Sequence, residues 1–200
     1  MNTQRTLDAT AFAIDIAAQV HTITGVEVHT WSLLYGGPIN SVAWTATVES
    51  HAEMGAIGEK LMADPGYVTR IGESAELFES APEDALTEVV ATVNESPTLG
   101  EYASVVTAQC AEGKIADAMG FGVDILNHVA KVTGLPSMLT RSLYGPWASM
   151  SWITLASSLD AVDAANAAMG ADPEYIQKVD GSAGLFLPNS GSSILSQRIA

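Results

Sequence analysis

Two hundred residues with 48% hydrophobic side chains suffice for one large or two small domains with a sizeable core, which excludes a disordered chain. Eight Lys plus Arg against 23 Asp plus Glu leave a formal charge of −15, which repels phosphate backbones and anionic membrane surfaces, so neither nucleic acid nor a membrane is an expected partner. A single cysteine, Cys110, rules out an intrachain disulfide and a Cys-based zinc cluster and points to a reducing, cytoplasmic setting.

The opening stretch MNTQRTLDATAFAIDIAAQV breaks its apolar run with Asp8 and Asp15 and shows no leader cleavage site, so no signal peptide is expected. No membrane span of about 18 apolar residues is predicted either. Instead Phe12, Ile16, Val20 and Ile23 recur at helical spacing and Gly25 supplies a helix stop. Residues 26–35 and 41–49 are β-rich runs around Gly36-Gly37-Pro38, an antiparallel hairpin. A helix beginning near His51 runs to Asp64-Pro65, where Asp can cap and Pro can open a second short helix, with Tyr67 and Ile71 facing inward. Residues 85–93 read as a closing strand and NESPTLG, 94–100, as a junction.

The pattern then begins again. A strand at residues 102–109 precedes a helix marked by Phe121, Ile125, Val129 and Val132 and stopped by Gly134. A hairpin over 135–144 and 148–156 turns at Gly145-Pro146, a helix from Asp160 reaches Asp172-Pro173, and Tyr175 with Val179 face inward before a last strand at 193–199. Aligning residues 12–78 with 121–186, with one deletion at the Gly36-Gly37 turn, gives 22 identities in 66 pairs. Trp44 with Trp152, Tyr35 with Tyr144 and Phe78 with Phe186 are among them. A period of this length is a small domain rather than a solenoid unit. The reading is a tandem duplication into residues 1–94 and 100–200, each an α+β unit with an antiparallel sheet covered by two helices. The second unit has the β-α-β-β-α-β order of a ferredoxin-like domain. The first has no residues for its first strand, so either a partner chain's strand or a three-stranded rearrangement is expected there.

This element order, the repeated hairpin and the helix, Asp-Pro, Tyr pattern resemble the dimeric α/β barrel superfamily, which includes the NIPSNAP, antibiotic-biosynthesis monooxygenase, EthD and muconolactone isomerase families. The resemblance implies two ferredoxin-like sheets facing each other, with one chain imitating the dimer. The Asn, His and Trp constellation of the haem-degrading members has no counterpart here, so no catalytic residue is carried over and no cofactor is expected.

Strand parity sorts the first hairpin. Val26, Val28 and Leu34 suit the helix face, which sends Glu27, His29, Trp31, Leu33 and Tyr35 the other way. Glu27 and His29 are the candidate proton-transfer pair, with Trp31, Tyr35 and the repeated Tyr144 as candidate ligand-binding aromatics. The second unit carries Pro136, Met138 and Thr140 in place of Glu27, His29 and Trp31, so the polar set is not repeated. Ordinary surface or packing roles compete with each assignment. His21, His29, His51 and His128 fall on different elements without a metal-ligand spacing, so no metal is expected. GFG at 120–122 lacks the third glycine and follows a helical segment, which removes a dinucleotide reading.

Two functions fit. One is a small-molecule-binding barrel for a hydrophobic or aromatic ligand, with cofactor-independent monooxygenase or isomerase chemistry. The other is a non-catalytic interaction or assembly module, as a homo-oligomer or with a protein partner.

Overall fold

A computed structural model describes residues 1, 5–96 and 99–200, so Pro97 and Thr98 of the predicted junction lie outside the described residues. The chain is α+β, with seven strands and six α-helices among the described residues. It divides into two compact units, residues 1–82 with 197–200, and residues 83–196. These divisions do not coincide with the repeat boundaries at 94 and 100.

Unit 1 opens with α1 (Thr6–Thr24), which ends on Gly25 at φ 82°, the left-handed conformation glycine adopts without steric cost. The hairpin β1 (Val28–Tyr35) and β2 (Val42–Ala46) pairs antiparallel with His29 opposite Thr45 and Trp31 opposite Ala43. α2 (His51–Ala63) starts at Ser50, whose side chain accepts from Glu53 N, and α3 (Pro65–Glu73) starts at Asp64, whose carboxylate accepts from Tyr67 N. Ala9, Ala13, Ile16, Ala17, Trp31 and Leu77 are buried, and Phe78 meets Phe12 and Trp44 edge-on at 5.8 and 6.2 Å between ring centroids. The expectation that Ile71 faces inward is corrected: it is 41% exposed, and neither α2 nor α3 buries a residue fully. Beside β1 lie residues 199 and 200, which exchange backbone hydrogen bonds with Thr30 at 2.8 to 3.3 Å. The open edge of β1 is thus closed by a distant piece of the same chain.

Unit 2 contains β3 (Leu86–Val93), β4 (Tyr102–Gln109), α4 (Ile115–Thr133), β5 (Ser137–Tyr144), β6 (Ser149–Ala156), α5 (Leu159–Ala171), α6 (Pro173–Gly181) and most of β7 (Ser192–Arg198). Its strand order is β7-β4-β6-β5-β3. The strand at 86–93, read from sequence as closing the first repeat, pairs antiparallel with β5. Three helices belong to the unit rather than two, because Asp172 ends α5 and caps α6 with its carboxylate on Tyr175 N. Proline directly after it has no N–H to satisfy, which makes the break inexpensive. The core gathers Cys110, Ala118, Leu126, Leu139 and Met150, and Gly122 lets α4 approach the sheet: a Cβ there would lie 2.8 Å from Met150 Cε.

The two units reuse the same local devices. α1 and α4 each span 19 residues and end on a left-handed glycine, and Ser158 caps α5 as Ser50 caps α2. Trp44 Nε1 donates to Ala13 O at 2.9 Å, and Trp152 Nε1 to Gly122 O at 3.0 Å. Arg70 pairs with Asp15 as Lys178 pairs with Asp124.

Candidate functional site

The sheet and helices of unit 2 border a partly open apolar cavity of about 260 Å³. Its floor is built by strand periodicity: Ser104, Val106 and Ala108 alternate on β4, and Trp152, Thr154 and Ala156 alternate on β6, so all six share one face. Its roof is built by helical periodicity. Phe121, Ile125 and Val129 recur every fourth residue on α4, Val162, Ala165, Asn166 and Met169 form one stripe of α5, and Tyr175 and Val179 come from α6. Tyr175 and Val179 thus border the cavity, although Val179, like Ile71 of unit 1, is exposed, at 42%.

The space exists because of what α5 lacks. Its inner stripe contributes Ala165 and Asn166 to the lining and the strands contribute Ala108, Ser104 and Ala156, side chains too short to fill the interval that helix and sheet backbones leave between them. Phe121, Trp152 and Phe186 form an edge-to-face cluster with centroids 5.7 to 6.2 Å apart and give one wall a rigid aromatic surface. The Trp152 N–H is engaged by Gly122 O, so this indole offers a ligand its ring rather than a donor. Hydrogen-bonding side chains in the lining are limited to Ser104, Thr154, Asn166, Tyr175 and Ser182, and no Asp, Glu, Lys, Arg or His lines it. An ionic ligand would lose its hydration there without a countercharge, whereas an uncharged, largely apolar one gains by burial.

Behind the roof lies a polar clasp. His128, buried on α4, places Nε2 3.3 Å from Asp172 Oδ1 and Nδ1 3.5 Å from Glu174 Oε1. The Tyr175 backbone N–H, and after it the His128 side chain, hold the Asp172 carboxyl below its ordinary range. Lys178 is raised, first by its hydrogen bond to Asp124. Burial raises the thiol of Cys110.

The sequence-derived candidates lie elsewhere. Glu27 and His29 come together in an open polar recess of about 300 Å³ with Gly25, Val26, Thr47 and Glu53; Glu27 is exposed and His29 half-buried. Trp31 is buried and donates its Nε1–H to Thr45 Oγ1 at 2.9 Å. Tyr35 and Tyr144 are exposed, and none of the five lines the apolar cavity. The residues that do were visible mainly as packing positions. The unused signal was the run DAANAAMGA in α5, a helix nearly without large side chains placed against a sheet.

Among the described residues no three His, Cys, Asp or Glu side chains gather as a metal site, and no helix is long and apolar enough to cross a membrane.

No family model and no curated protein matches this chain. Solved structures do. A "putative monooxygenase" from Fusobacterium nucleatum subsp. nucleatum superposes with a TM-score of 0.73 at 5% identity over 100% of this chain and 88% of its own. An anthrone oxidase-like protein gives 0.66 at 13% identity, covering 96% and 85%. A second protein described as the first, from Lactobacillus acidophilus NCFM, gives 0.62 at 11%, covering 99% and 89%. The chain shares its fold with these proteins. At such identities the likeness is one of fold alone.

Proposed function

We propose that this is a small-molecule-binding protein of the dimeric α/β barrel type, a tandem duplication of a ferredoxin-like unit whose ligand occupies the cavity of unit 2. The observation that carries the reading is that cavity, uncharged in its lining and built by matched strand and helix periodicities. The paired Ser, Asp, Gly and Trp devices of the two units support the duplication. The monooxygenase-like fold neighbours make oxygenation of an uncharged aromatic or carbonyl-bearing substrate by dioxygen the favoured chemistry, one oxygen atom replacing two substrate hydrogens and the other leaving with them as water, with isomerisation as its alternative; a cytoplasmic location accompanies both. Tyr175 is the lining residue able to hand a proton to such a substrate. Glu27 and His29 are proposed as a separate proton-transfer pair in the recess of unit 1.

Binding of the neutral fluorophore N-phenyl-1-naphthylamine tests the cavity. The wild-type chain should enhance its emission saturably, and Ala165→Trp, which fills the space from α5, should reduce affinity by about tenfold or more. A chain that binds no fluorophore, or whose binding ignores Ala165→Trp while His29→Ala abolishes it, would move the site to the recess.

One observation favours the assembly reading as well. Among the described residues β2 pairs only with β1, and Val42–Ala46 carries no charge or proline to blunt its free edge. A strand from another chain would satisfy that edge. Light scattering tests this: self-association abolished by Thr45→Pro supports it, and a wild-type monomer over the micromolar range refutes self-pairing.

A further inference from the structure

The roof of the cavity in unit 2 is an elbow. Asp172 ends α5, with its backbone N–H on Met169 O at 3.2 Å, and starts α6, with its carboxylate on Tyr175 N at 2.8 Å. Met169 and Tyr175, on either side of it, both line the cavity. The elbow thus carries part of the cavity wall, and a ligand resting against Met169 and Tyr175 is held more or less firmly according to how firmly the elbow is fixed. His128 grips the elbow from α4, next to the lining residue Val129 and one turn from Ile125.

We propose that His128 is the positioning residue of this roof, and that its protonation state sets how firmly a ligand in the cavity is held. The proposal rests on the cavity being the ligand site. Both imidazole nitrogens face carboxylate oxygens, Nε2 towards Asp172 and Nδ1 towards Glu174. An imidazole can donate at both only as the imidazolium; the neutral ring keeps one N–H and faces the other carboxylate with a lone pair. Loss of the proton therefore removes one clasp and the charge that strengthens the other.

The remaining charges nearby leave this assignment standing. Lys178 of α6 is occupied by Asp124 and Glu174. The charged residues of α5, Asp160 and Asp163, lie in its first turns, at the end away from the elbow. On the sheet side Arg141 of β5 pairs with Glu88 of β3, and Lys131 lies on the exposed face of α4 itself. Asp172 and Glu174 are the charges that contact the ring.

Unit 1 supplies the internal control. Counting from the helix-ending glycines, Gly25 and Gly134, the residue at the place of His128 is Gln19. Asp64 still caps α3 through Tyr67 N at 2.7 Å, but Gln19 Oε1 is buried with no hydrogen-bond partner. The second clasp, Arg70 with Asp15, matches Lys178 with Asp124. What distinguishes the elbow over the cavity is thus the titratable ring, not the ion pair.

The test follows release of N-phenyl-1-naphthylamine from the full chain by stopped flow between about pH 5.5 and about pH 8.5, the range over which histidine changes charge. Wild-type release should quicken by about tenfold as pH rises, reflecting loss of a charge-assisted contact. His128→Gln, which installs the residue of unit 1, should release at the fast rate throughout, and exposed His21→Gln should keep the wild-type slope. Circular dichroism melts establish that each variant folds. If His128→Gln does not fold, Glu174→Gln, at an exposed partner, takes its place and should flatten the profile in part. A flat wild-type profile overturns the proposal, as does a slope that survives His128→Gln or, in its place, a slope that Glu174→Gln leaves undiminished. Failure of the cavity reading looks different: the wild-type chain would bind no fluorophore, or Ala165→Trp would leave binding unchanged.

Discussion

The indole Nε1–H of Trp152 donates to the backbone carbonyl of Gly122 at 3.0 Å, tying β6 to α4 at the glycine that admits Met150 and Leu139. Trp152→Phe keeps the edge-to-face ring contacts but removes this donor. It should destabilise the chain by about 1 to 2 kcal/mol in urea unfolding, with the m-value unchanged if the fold is retained. Gly122→Ala adds a methyl against Met150 and Leu139 and should cost about 1 to 2 kcal/mol unless Met150 turns away.

Acidification should act through Asp172. Its pKa is depressed in the fold, so it contributes stability that is present above the unfolded carboxylate value of about 3.9 and is lost as pH falls through the lower folded value. Asp172→Asn keeps a competent cap but removes the charge facing His128. Its melting temperature should fall less steeply in acid than that of the wild type, and parallel profiles would count against a role for the charge.

Cys110 is buried in the core of unit 2 and burial raises its thiol. Since the thiolate is the reactive form, Ellman's reagent should label the native chain slowly near neutral pH. Labelling should be complete within seconds in denaturant. Fast native labelling would show that the region between β4 and α4 opens.

Ser158 caps α5 by accepting from Ala161 N at 3.2 Å. Ser158→Ala should lower stability by about 1 kcal/mol, and because α5 roofs the cavity it should also weaken fluorophore binding. Ser50→Ala, at the matching cap of α2, should lower stability without that second effect. The contrast is read by combining thermal melts with titrations.

Helix ends, hairpins and the Asp-Pro breaks were legible in the sequence because each is written in a few adjacent residues: Gly25 and Gly134, Gly145-Pro146, Asp64-Pro65 and Asp172-Pro173. Strand partners were not. Alternation in residues 86–93 announces a strand, yet nothing within it states that Val89 stands opposite Thr140 of β5, because pairing is chosen by distant edges. The parity of the first hairpin strand put Glu27 and His29 on one side, and both border one recess; parity could not rank that recess against a cavity lined from five other elements. Parity tells which way a side chain points and is silent about how much volume the opposite element leaves vacant; in unit 2 that vacancy was set by the alanines of α5.

The hydrogen bonds between Thr30 and residues 199 and 200 bear on how the molecule comes to exist. Unit 1 is discontinuous, and the residues that close β1 are translated only after the whole of unit 2. A ribosome emitting this chain therefore exposes β1 with a bare side until much later, while unit 2 already has nearly all its strands. Closing so long a loop costs entropy that is repaid only on completion. The first unit to emerge is the last to be finished, and in the interval its unpaired edge is a natural client for a chaperone.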